Sequence, residues 1–283
     1  MNSKNIKILV LVLCSRNYLS FISSKSQKKI WTKYISDFEI LHYVGQSNPS
    51  NREVDYIKNS QDYLILNTDD SYSNIAKKTL VAFEKAIAEY DFDYIFRTNT
   101  SSYLDFKKFK KYADTNLDHL NYAGVNLKVQ EGDKIASGAG IFLSKKNVEI
   151  LIKNKKNFDT SLPDDVAISR LLKEFKIFPS DIPRIDLKSI PHPKLIFNSK
   201  DFHYRCRLDP QYHRILEPSL FRYLDKASQK ISMAIFVRFF YLRSLFCLSN
   251  IKIIKKLIQK YYSYKFYGEI NLGEKIIFKN KKI

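Results

Sequence analysis

Short apolar runs alternate with helical repeats along the first three quarters of the chain. Residues 6–13, 38–44 and 62–66 are apolar runs of the length of a β-strand, whereas residues 24–35 and 72–90 carry apolar positions at helical spacing. Strands that alternate with helices in this way are typical of a mostly parallel sheet with helices on its faces. The pattern therefore predicts an α/β sandwich with a mostly parallel central sheet.

The helix predicted over residues 72–90 has recognisable end signals. Asp70 or Ser71 supplies a side-chain oxygen that can cap the first N–H groups of the helix. The apolar face of this helix consists of Ile75, Leu80, Phe83 and Ile87. Residues 93–97 follow as the next predicted strand.

Shorter elements continue the alternation to residue 175. The predicted helices cover residues 105–113, 145–154 and 163–175, and residues 120–125 are predicted to be extended. Gly138 and Gly140 stand just before a short predicted strand that ends at Ser144, where the backbone has to turn tightly or approach a ligand closely. Prolines 179, 183, 191 and 193 then predict an irregular region.

The composition changes after Pro218. From Ser219 to the end, fourteen Lys and Arg stand against three Asp and Glu, so this last quarter holds more than half of the net charge of +19. Residues 231–248 are almost wholly apolar, but Arg238 and Arg243 make a membrane-spanning helix costly. We therefore predict a domain over residues 1–217 and a basic, aromatic-rich helical segment over residues 218–283, in which an interfacial helix pair (231–248 and 251–261) attaches to a membrane surface.

The charge and the cysteines restrict the class of protein. A net charge of +19 implies an acidic partner, namely nucleic acid, an anionic membrane or a phosphorylated substrate. The chain lacks a recognisable nucleic-acid module, so nucleic acid is not expected as a partner. Cys14, Cys206 and Cys247 are too widely spaced to indicate a disulfide framework or a zinc site, which fits a reducing cytoplasm. The apolar run over residues 6–13 is shorter than the roughly 20 residues of a membrane span.

Five sequence blocks, in order, carry a resemblance to a known family. Residues 70–79 (DSYSNIAKKT) match a D-S-Y-x-N-L-x-x-K-T signature, and residues 28–32 loosely match an R-x-x-x-I-R-x-T-W helix. Residues 122–124, 136–144 and 163–168 match Y-A-G, S-G-x-G-Y-x-L-S and E/D-D-V-x-x-G blocks, although Ser169 replaces the final glycine. Between about residues 6 and 202 the chain resembles the β-1,3-galactosyltransferase and Fringe-like glycosyltransferases, which implies a GT-A fold.

The resemblance implies catalytic roles for two adjacent carboxylates. Inverting transfer of a sugar from a nucleotide diphosphate requires a base beside the acceptor hydroxyl. The family pattern assigns this role to Asp165 and a supporting role to Asp164. The alternative is that the two acids only complement the dipole at the N-terminus of their helix.

The metal motif of the family is absent from this chain. Its three acids align with Asn99, Thr100 and Ser101, whose amide and hydroxyl groups are poor ligands for Mg²⁺ or Mn²⁺. We therefore predict a metal-independent enzyme without a cofactor. The alternative is a catalytically silent carbohydrate-binding member of the same fold, but the retained Asp164 and Asp165 disfavour it.

A late basic cluster offers another way to stabilise the departing diphosphate. His203, Arg205 and Arg207 are predicted to bind the donor, the alternative being a solvated strand edge. Further donor-side predictions are Ser15, Arg16, Asp70, Asn74, Lys78, Arg97, Asn99 and Ser101, and the acceptor-side predictions are Ser137 and Gly138.

The sequence thus predicts an inverting glycosyltransferase. Its donor would be a nucleotide sugar, a UDP-hexose or UDP-N-acetylhexosamine, and family analogy suggests a β-1,3 linkage. The acceptor would be a glycan or lipid-linked glycan of a surface polysaccharide such as capsule or lipopolysaccharide. We expect a peripheral location on the inner face of the plasma membrane, on an anionic lipid surface.

Overall fold

A computed structural model describes residues 6–34, 38–46, 63–116, 119–128, 134–209 and 211–248, except for the side chains of residues 211 and 212. The strands are β1 Ile8–Leu13, β2 Glu39–Gln46, β3 Leu64–Asp69, β4 Tyr94–Asn99, β5 Ser102–Leu104, β6 Tyr122–Lys128, β7 Lys134–Ser144, β8 Ser180–Asp181, β9 Ile185–Leu187 and β10 His203–Cys206. The helices are α1 Tyr18–Trp31, α2 Ile75–Glu89, α3 Phe106–Thr115, α4 Lys145–Lys153, α5 Asp164–Glu174, α6 Pro193–Asn198, α7 Glu217–Ala227 and α8 Met233–Leu248. Short 3₁₀ helices cover Thr32–Tyr34, Tyr72–Asn74 and Gln211–Leu216.

Seven strands form the central sheet, in the order β3-β2-β1-β4-β7-β6-β8. The first four are parallel, β7 is antiparallel to both β4 and β6, and β8 is parallel to β6. Three strands form a second sheet, in the order β5-β10-β9. Its strand β5 follows β4 in the chain after a two-residue turn. The predicted α/β class with a mostly parallel central sheet is confirmed.

The alternation of side chains along β1 shows why the sheet is covered on both faces. Val10 and Val12 point into one hydrophobic cluster, and Leu9 and Leu11 point into the other. Helices α1, α3 and α7 supply the first cluster, and α2, α4 and α5 supply the second. A strand buried on both faces has to be apolar throughout, which explains the continuous run from Ile8 to Leu13.

Two elements differ from their predicted bounds for local reasons. The first helix was expected over residues 24–35, but α1 begins at Tyr18 because Asn17 caps it by accepting a hydrogen bond from the Ser20 N–H at 2.9 Å. Gly138 and Gly140 lie inside β7, not before it. A Cβ on Gly140 would come within 2.7 Å of His203 Nδ1, so close packing of the two sheets requires glycine there.

The C-terminal helices pack on the face that α1 covers. Leu220, Phe221 and Leu224 of α7 are fully buried in the same cluster as Trp31. The segment predicted to attach to a membrane, residues 218–283, therefore begins with a core helix. Residues 251–261, predicted as the second interfacial helix, lie outside the described residues.

A buried carboxyl group begins α7. Glu217 is 1% exposed and accepts a hydrogen bond from Arg214 Nε at 3.0 Å. Burial raises the pKa of Glu217 to about 7, more strongly than the Arg214 charge lowers it. The folded protein therefore binds a proton at this site between about pH 4.5 and 7, where the unfolded chain does not.

We predict that the free energy of unfolding falls between pH 5 and pH 7.5 because of this group. A folded-state pKa of about 7 for Glu217 corresponds to a loss of roughly 3 kcal/mol of stability as this carboxyl group becomes charged. Glu217→Gln should flatten this pH dependence in denaturant titrations, whereas the exposed control Glu174→Gln should retain it. Identical pH profiles for wild type and Glu217→Gln would contradict the prediction.

Candidate active site

The side chains predicted to act lie at one edge of the central sheet. Strands β1 and β4 run in the same direction, so that Ser15 follows the end of β1 close to Asn99 at the end of β4. Because β7 runs the opposite way and pairs Gly140 with Thr98, Gly138 reaches the same edge. This is the edge at which open α/β sheets bind ligands.

A buried ion pair fixes the floor of this edge. Arg97 of β4 is 1% exposed, forms an ion pair with Asp164 and donates a hydrogen bond to the Gly138 carbonyl. Asp164 also accepts a hydrogen bond from Thr79 Oγ1 at 2.8 Å. Burial raises the pKa of Asp164, opposed by the Arg97 charge. Predicted as a donor-binding side chain, Arg97 instead lies beneath the crevice and holds Asp164.

Asp165, the next residue, is half-buried at the first turn of α5. Its Oδ2 accepts a hydrogen bond from the Gly138 N–H at 2.8 Å, and its Oδ1 accepts one from the Val166 N–H at 3.0 Å. A Cβ on Gly138 would lie 3.0 Å from Asp165 Oδ2 and 3.1 Å from Arg97 Nη1, so glycine permits this approach. The carboxylate of Asp165 is thus oriented by two backbone donors at the crevice.

The turn after β4 contains the residues that align with the metal motif. Asn99 Oδ1 accepts hydrogen bonds from the backbone N–H and the hydroxyl of Ser101, at 3.0 and 2.7 Å. Gln27 Nε2 donates to the carbonyls of Asn99 and Ser102. The turn is therefore closed by hydrogen bonds within it and by the side chain of Gln27 from α1.

These residues do not fit a divalent cation. The turn offers no carboxylate, and the Asn99 amide oxygen already accepts two hydrogen bonds. Within the described part of the chain, no three His, Cys, Asp or Glu side chains are grouped so that they could hold a metal ion. Hard divalent cations prefer several charged oxygen ligands, which Asn99, Thr100 and Ser101 do not provide.

Strand β10 places arginines beside the turn. The Cys206 N–H donates to the Ser101 carbonyl at 2.7 Å, and Arg205 pairs with Ser102 across the small sheet. Arg205 lies in β10 and Arg207 directly after it, and the two alternate with the buried Tyr204 and Cys206. The Nε of Arg205 is buried and has no hydrogen-bond partner among the described residues. Burial lowers the pKa of Arg205, as do the charges of Arg207 and Arg184.

A further arginine, which the sequence reasoning missed, connects this cluster to β7. The side chain of Arg184 is 3% exposed and donates to Ser137 Oγ at 2.8 Å. It also forms a two-pronged ion pair with Asp186, at 2.6 and 3.1 Å, and Arg205 Nη1 lies 3.7 Å from the same carboxylate. The available signal in the sequence was the alternation of Arg184, directly before β9, with Asp186 inside β9.

His203 lies below the site and not within it. It is fully buried against Gly140, and its Nε2 shares a hydrogen bond of 3.1 Å with Ser102 Oγ. Burial lowers the pKa of His203 well below its usual value, and the charges of Arg184 and Arg205 add to this effect. Predicted to bind the donor, His203 instead supports β5 and β7 as a neutral side chain.

The donor-side residues before β4 form a separate network. Asp70 accepts hydrogen bonds from Lys78 Nζ at 2.7 Å, from the Arg16 N–H at 2.6 Å and from the Gly45 N–H at 2.9 Å. Lys78 is buried and also donates to the Cys14 carbonyl at 3.0 Å. Asp70 and Lys78 therefore join the ends of β1 and β2 to α2.

Three other predicted residues lie around this network. Asn74 donates to Asp69 Oδ2 at 3.1 Å, and Arg16 Nε donates to the Gly45 carbonyl at 2.8 Å. Ser15 Oγ accepts a hydrogen bond from Asn17 Nδ2 at 2.8 Å. Ser15 and Arg16 are half-buried at the crevice, as their position after β1 predicts.

Comparisons with known proteins give structural neighbours only. No family model matches the chain, and no curated protein matches it. Fifty-seven chains of solved structures match. One is a glycosyltransferase involved in the glycosylation of the major capsid of PBCV-1, with 10% identity and a TM-score of 0.46, covering 76% of this chain and 98% of its own. Another is the galactosyltransferase LgtC in complex with donor and acceptor sugar analogues, with 11% identity and a TM-score of 0.42, covering 82% of this chain and 99% of its own. Both TM-scores are below 0.5, so we base the functional proposal on the site geometry.

We predict that Arg97→Leu destabilises the fold by about 3–5 kcal/mol, because it leaves the buried Asp164 carboxylate unpaired. Urea titration measures this change, with the exposed Arg222→Leu as the control, expected to change stability by less than about 1 kcal/mol. The double variant Arg97→Leu/Asp164→Leu should recover part of the loss. Equal stability of Arg97→Leu and the control Arg222→Leu would contradict the claim that the buried ion pair supports this edge of the sheet.

Proposed function

We propose that this chain is an inverting glycosyltransferase of the GT-A type. It transfers a hexose or N-acetylhexosamine from a nucleotide sugar, with UDP as the nucleotide, to a hydroxyl of a glycan. The observation that carries this proposal is the Asp165 carboxylate, held at the sheet edge 2.8 Å from the Gly138 N–H and connected through Ser137 and Arg184 to an arginine cluster. A base and a cluster of cations on one crevice are the two requirements of this transfer.

Asp165 acts as the base. Its two backbone hydrogen bonds hold the carboxylate in one orientation while leaving lone pairs for the acceptor. The acceptor hydroxyl transfers its proton to this carboxylate as its oxygen attacks the anomeric carbon, and the bond to the nucleotide diphosphate breaks on the opposite face. Asp164 does not take this role because its carboxylate is buried in the ion pair with Arg97.

Arg205 and Arg207 stabilise the charge that develops on the departing diphosphate. Arg205 pairs with Ser102 beside the Asn99–Ser101 turn, and Arg207 follows two residues later. The Nε of Arg205 has no hydrogen-bond partner among the described residues. Arginine binds phosphate oxygens through several fixed N–H groups, so two arginines supply charge and orientation without a metal ion. The transfer we propose is therefore metal-independent.

The finer assignments rest on the family resemblance. They are the β-1,3 linkage, a glycan or lipid-linked glycan as acceptor, and a role in the synthesis of a surface polysaccharide. The second candidate is a catalytically silent carbohydrate-binding protein, which the lack of carboxylates at Asn99–Ser101 favours. Turnover of any nucleotide sugar excludes it.

The base assignment predicts that Asp165→Asn lowers kcat by roughly 10²–10⁴ while the Kd for UDP and the unfolding midpoint stay close to wild type. A screen of UDP-sugars, with released UDP as the signal, measures turnover. The exposed Asp159→Asn is the matched control and should retain full activity. Near-normal turnover by Asp165→Asn would remove it from this role.

The arginine assignment predicts that EDTA leaves turnover unchanged and that Arg205→Gln or Arg207→Gln raises the Kd for UDP by about tenfold or more. Arg222→Gln, an exposed arginine on α7, is the control and should bind UDP like the wild type. Loss of turnover in EDTA with recovery on addition of Mn²⁺ would contradict a metal-independent reaction.

Asp186 provides a test with the opposite sign. Its carboxylate neutralises Arg184 and lies 3.7 Å from Arg205, so it competes with a diphosphate for the arginines. Asp186→Asn should therefore lower the Kd for UDP a few-fold. The control Asp209→Asn removes the same charge at an exposed position and should lower the Kd less. A higher Kd for Asp186→Asn would show that Asp186 mainly positions Arg184.

A further inference from the structure

Helix α8 has one face that packs on the domain. Ile235, Phe239 and Leu242 are buried at helical spacing and belong to the hydrophobic cluster that α7 completes. The ring of Phe239 lies 5.3 Å from that of His192 and 6.4 Å from that of Tyr223. These contacts fix which face of α8 points away from the protein.

The outward face of α8 is apolar as well. Met233 is 77% exposed, Val237 61%, Phe240 63%, Tyr241 62% and Leu248 44%. We call these five side chains the α8 stripe; their spacing places them along one side of the helix. Large apolar side chains grouped in this way on a surface mark an interaction site, unlike single exposed ones.

The surroundings of the stripe indicate what covers it. Residues 219–283 carry fourteen Lys and Arg against three Asp and Glu. On α8 itself, helical spacing places Arg238 and Arg243 on either side of the stripe. Arg243 lies on the helix itself and stacks over the Phe239 ring at 5.7 Å. An apolar helix face flanked by basic residues suits the boundary between acyl chains and anionic headgroups. Two copies of a chain of charge +19 would instead repel each other at this surface.

The packing of α8 sets its orientation at a membrane. Among the described residues, no helix combines the length and the apolar character of a membrane span. Ile235, Phe239 and Leu242 hold one face of α8 against the domain. The helix would therefore lie along the surface with the stripe in the lipid.

We propose that the α8 stripe binds the surface of an anionic membrane. This inference does not depend on the proposed enzymatic activity. It places the apolar part of the attachment on one face of α8, because α7 belongs to the core. Burial of the apolar side chains in the lipid favours insertion, and the basic residues are attracted to the anionic headgroups, an attraction that salt weakens.

The test uses the full chain and sedimentation with vesicles of phosphatidylcholine containing about 30% phosphatidylglycerol. We expect binding at low salt, weaker binding at high salt and little binding to pure phosphatidylcholine. The double variant Val237→Ser/Phe240→Ser should bind at least tenfold more weakly. The control, Phe178→Ser/Leu195→Ser, removes two equally exposed apolar side chains elsewhere and should bind like the wild type.

Three results would overturn the proposal. The first is equal vesicle binding by the stripe variant and the wild type. The second is a dimer in analytical ultracentrifugation that the stripe variant abolishes, which would make a second copy the partner. The third is a melting temperature that falls clearly in the stripe variant and not in the control variant Phe178→Ser/Leu195→Ser. This result would show that the stripe is covered by another part of the chain.

Discussion

The buried ion pair between Arg97 and Asp164 is the interaction on which the site depends. It joins β4, at the centre of the sheet, to the first turn of α5, and the same guanidinium holds the Gly138 carbonyl of β7. A buried charge pair tolerates little displacement, because separation leaves both charges without solvent. Asp165 follows Asp164 in the chain, so its position at the crevice is set by this pair and by the Gly138 N–H.

The remaining parts of the site are arranged around the strand ends. Asp70 and Lys78 join β1, β2 and α2, and Gln27 and Asn99 close the turn after β4. Strand β10 then brings Arg205 beside that turn. On β7, Asp165 approaches the backbone of Gly138 and Arg184 contacts the neighbouring Ser137. Glycine at position 138 leaves the room that Asp165 and Arg97 occupy.

The sequence predicted the parts of the fold that depend on local pattern. The apolar run of β1 and the amphipathic helix α2 were visible because burial on both faces and helical spacing leave periodic signals. The predicted cap of that helix was wrong: neither Asp70 nor Ser71 accepts a cap hydrogen bond, because the Asp70 carboxylate binds Lys78 and the N–H groups of Arg16 and Gly45. Asp165 was predicted through the resemblance. Arg184 was missed because its partner Ser137 is 47 residues away and meets it only in the folded sheet. The burial of Arg97 and His203 could not be read from their neighbours in the sequence either, since their partners Asp164 and Ser102 meet them only in the folded protein.

Hydrogen–deuterium exchange of the full chain, with and without UDP and with EDTA throughout, tests the central claim most directly. The account predicts that UDP slows exchange in peptides covering residues 97–102 and 203–207 and leaves α8 unchanged, without any metal ion. Protection that requires Mn²⁺, or protection confined to segments away from the turn after β4 and from β10, would contradict a metal-independent donor site at this edge of the sheet.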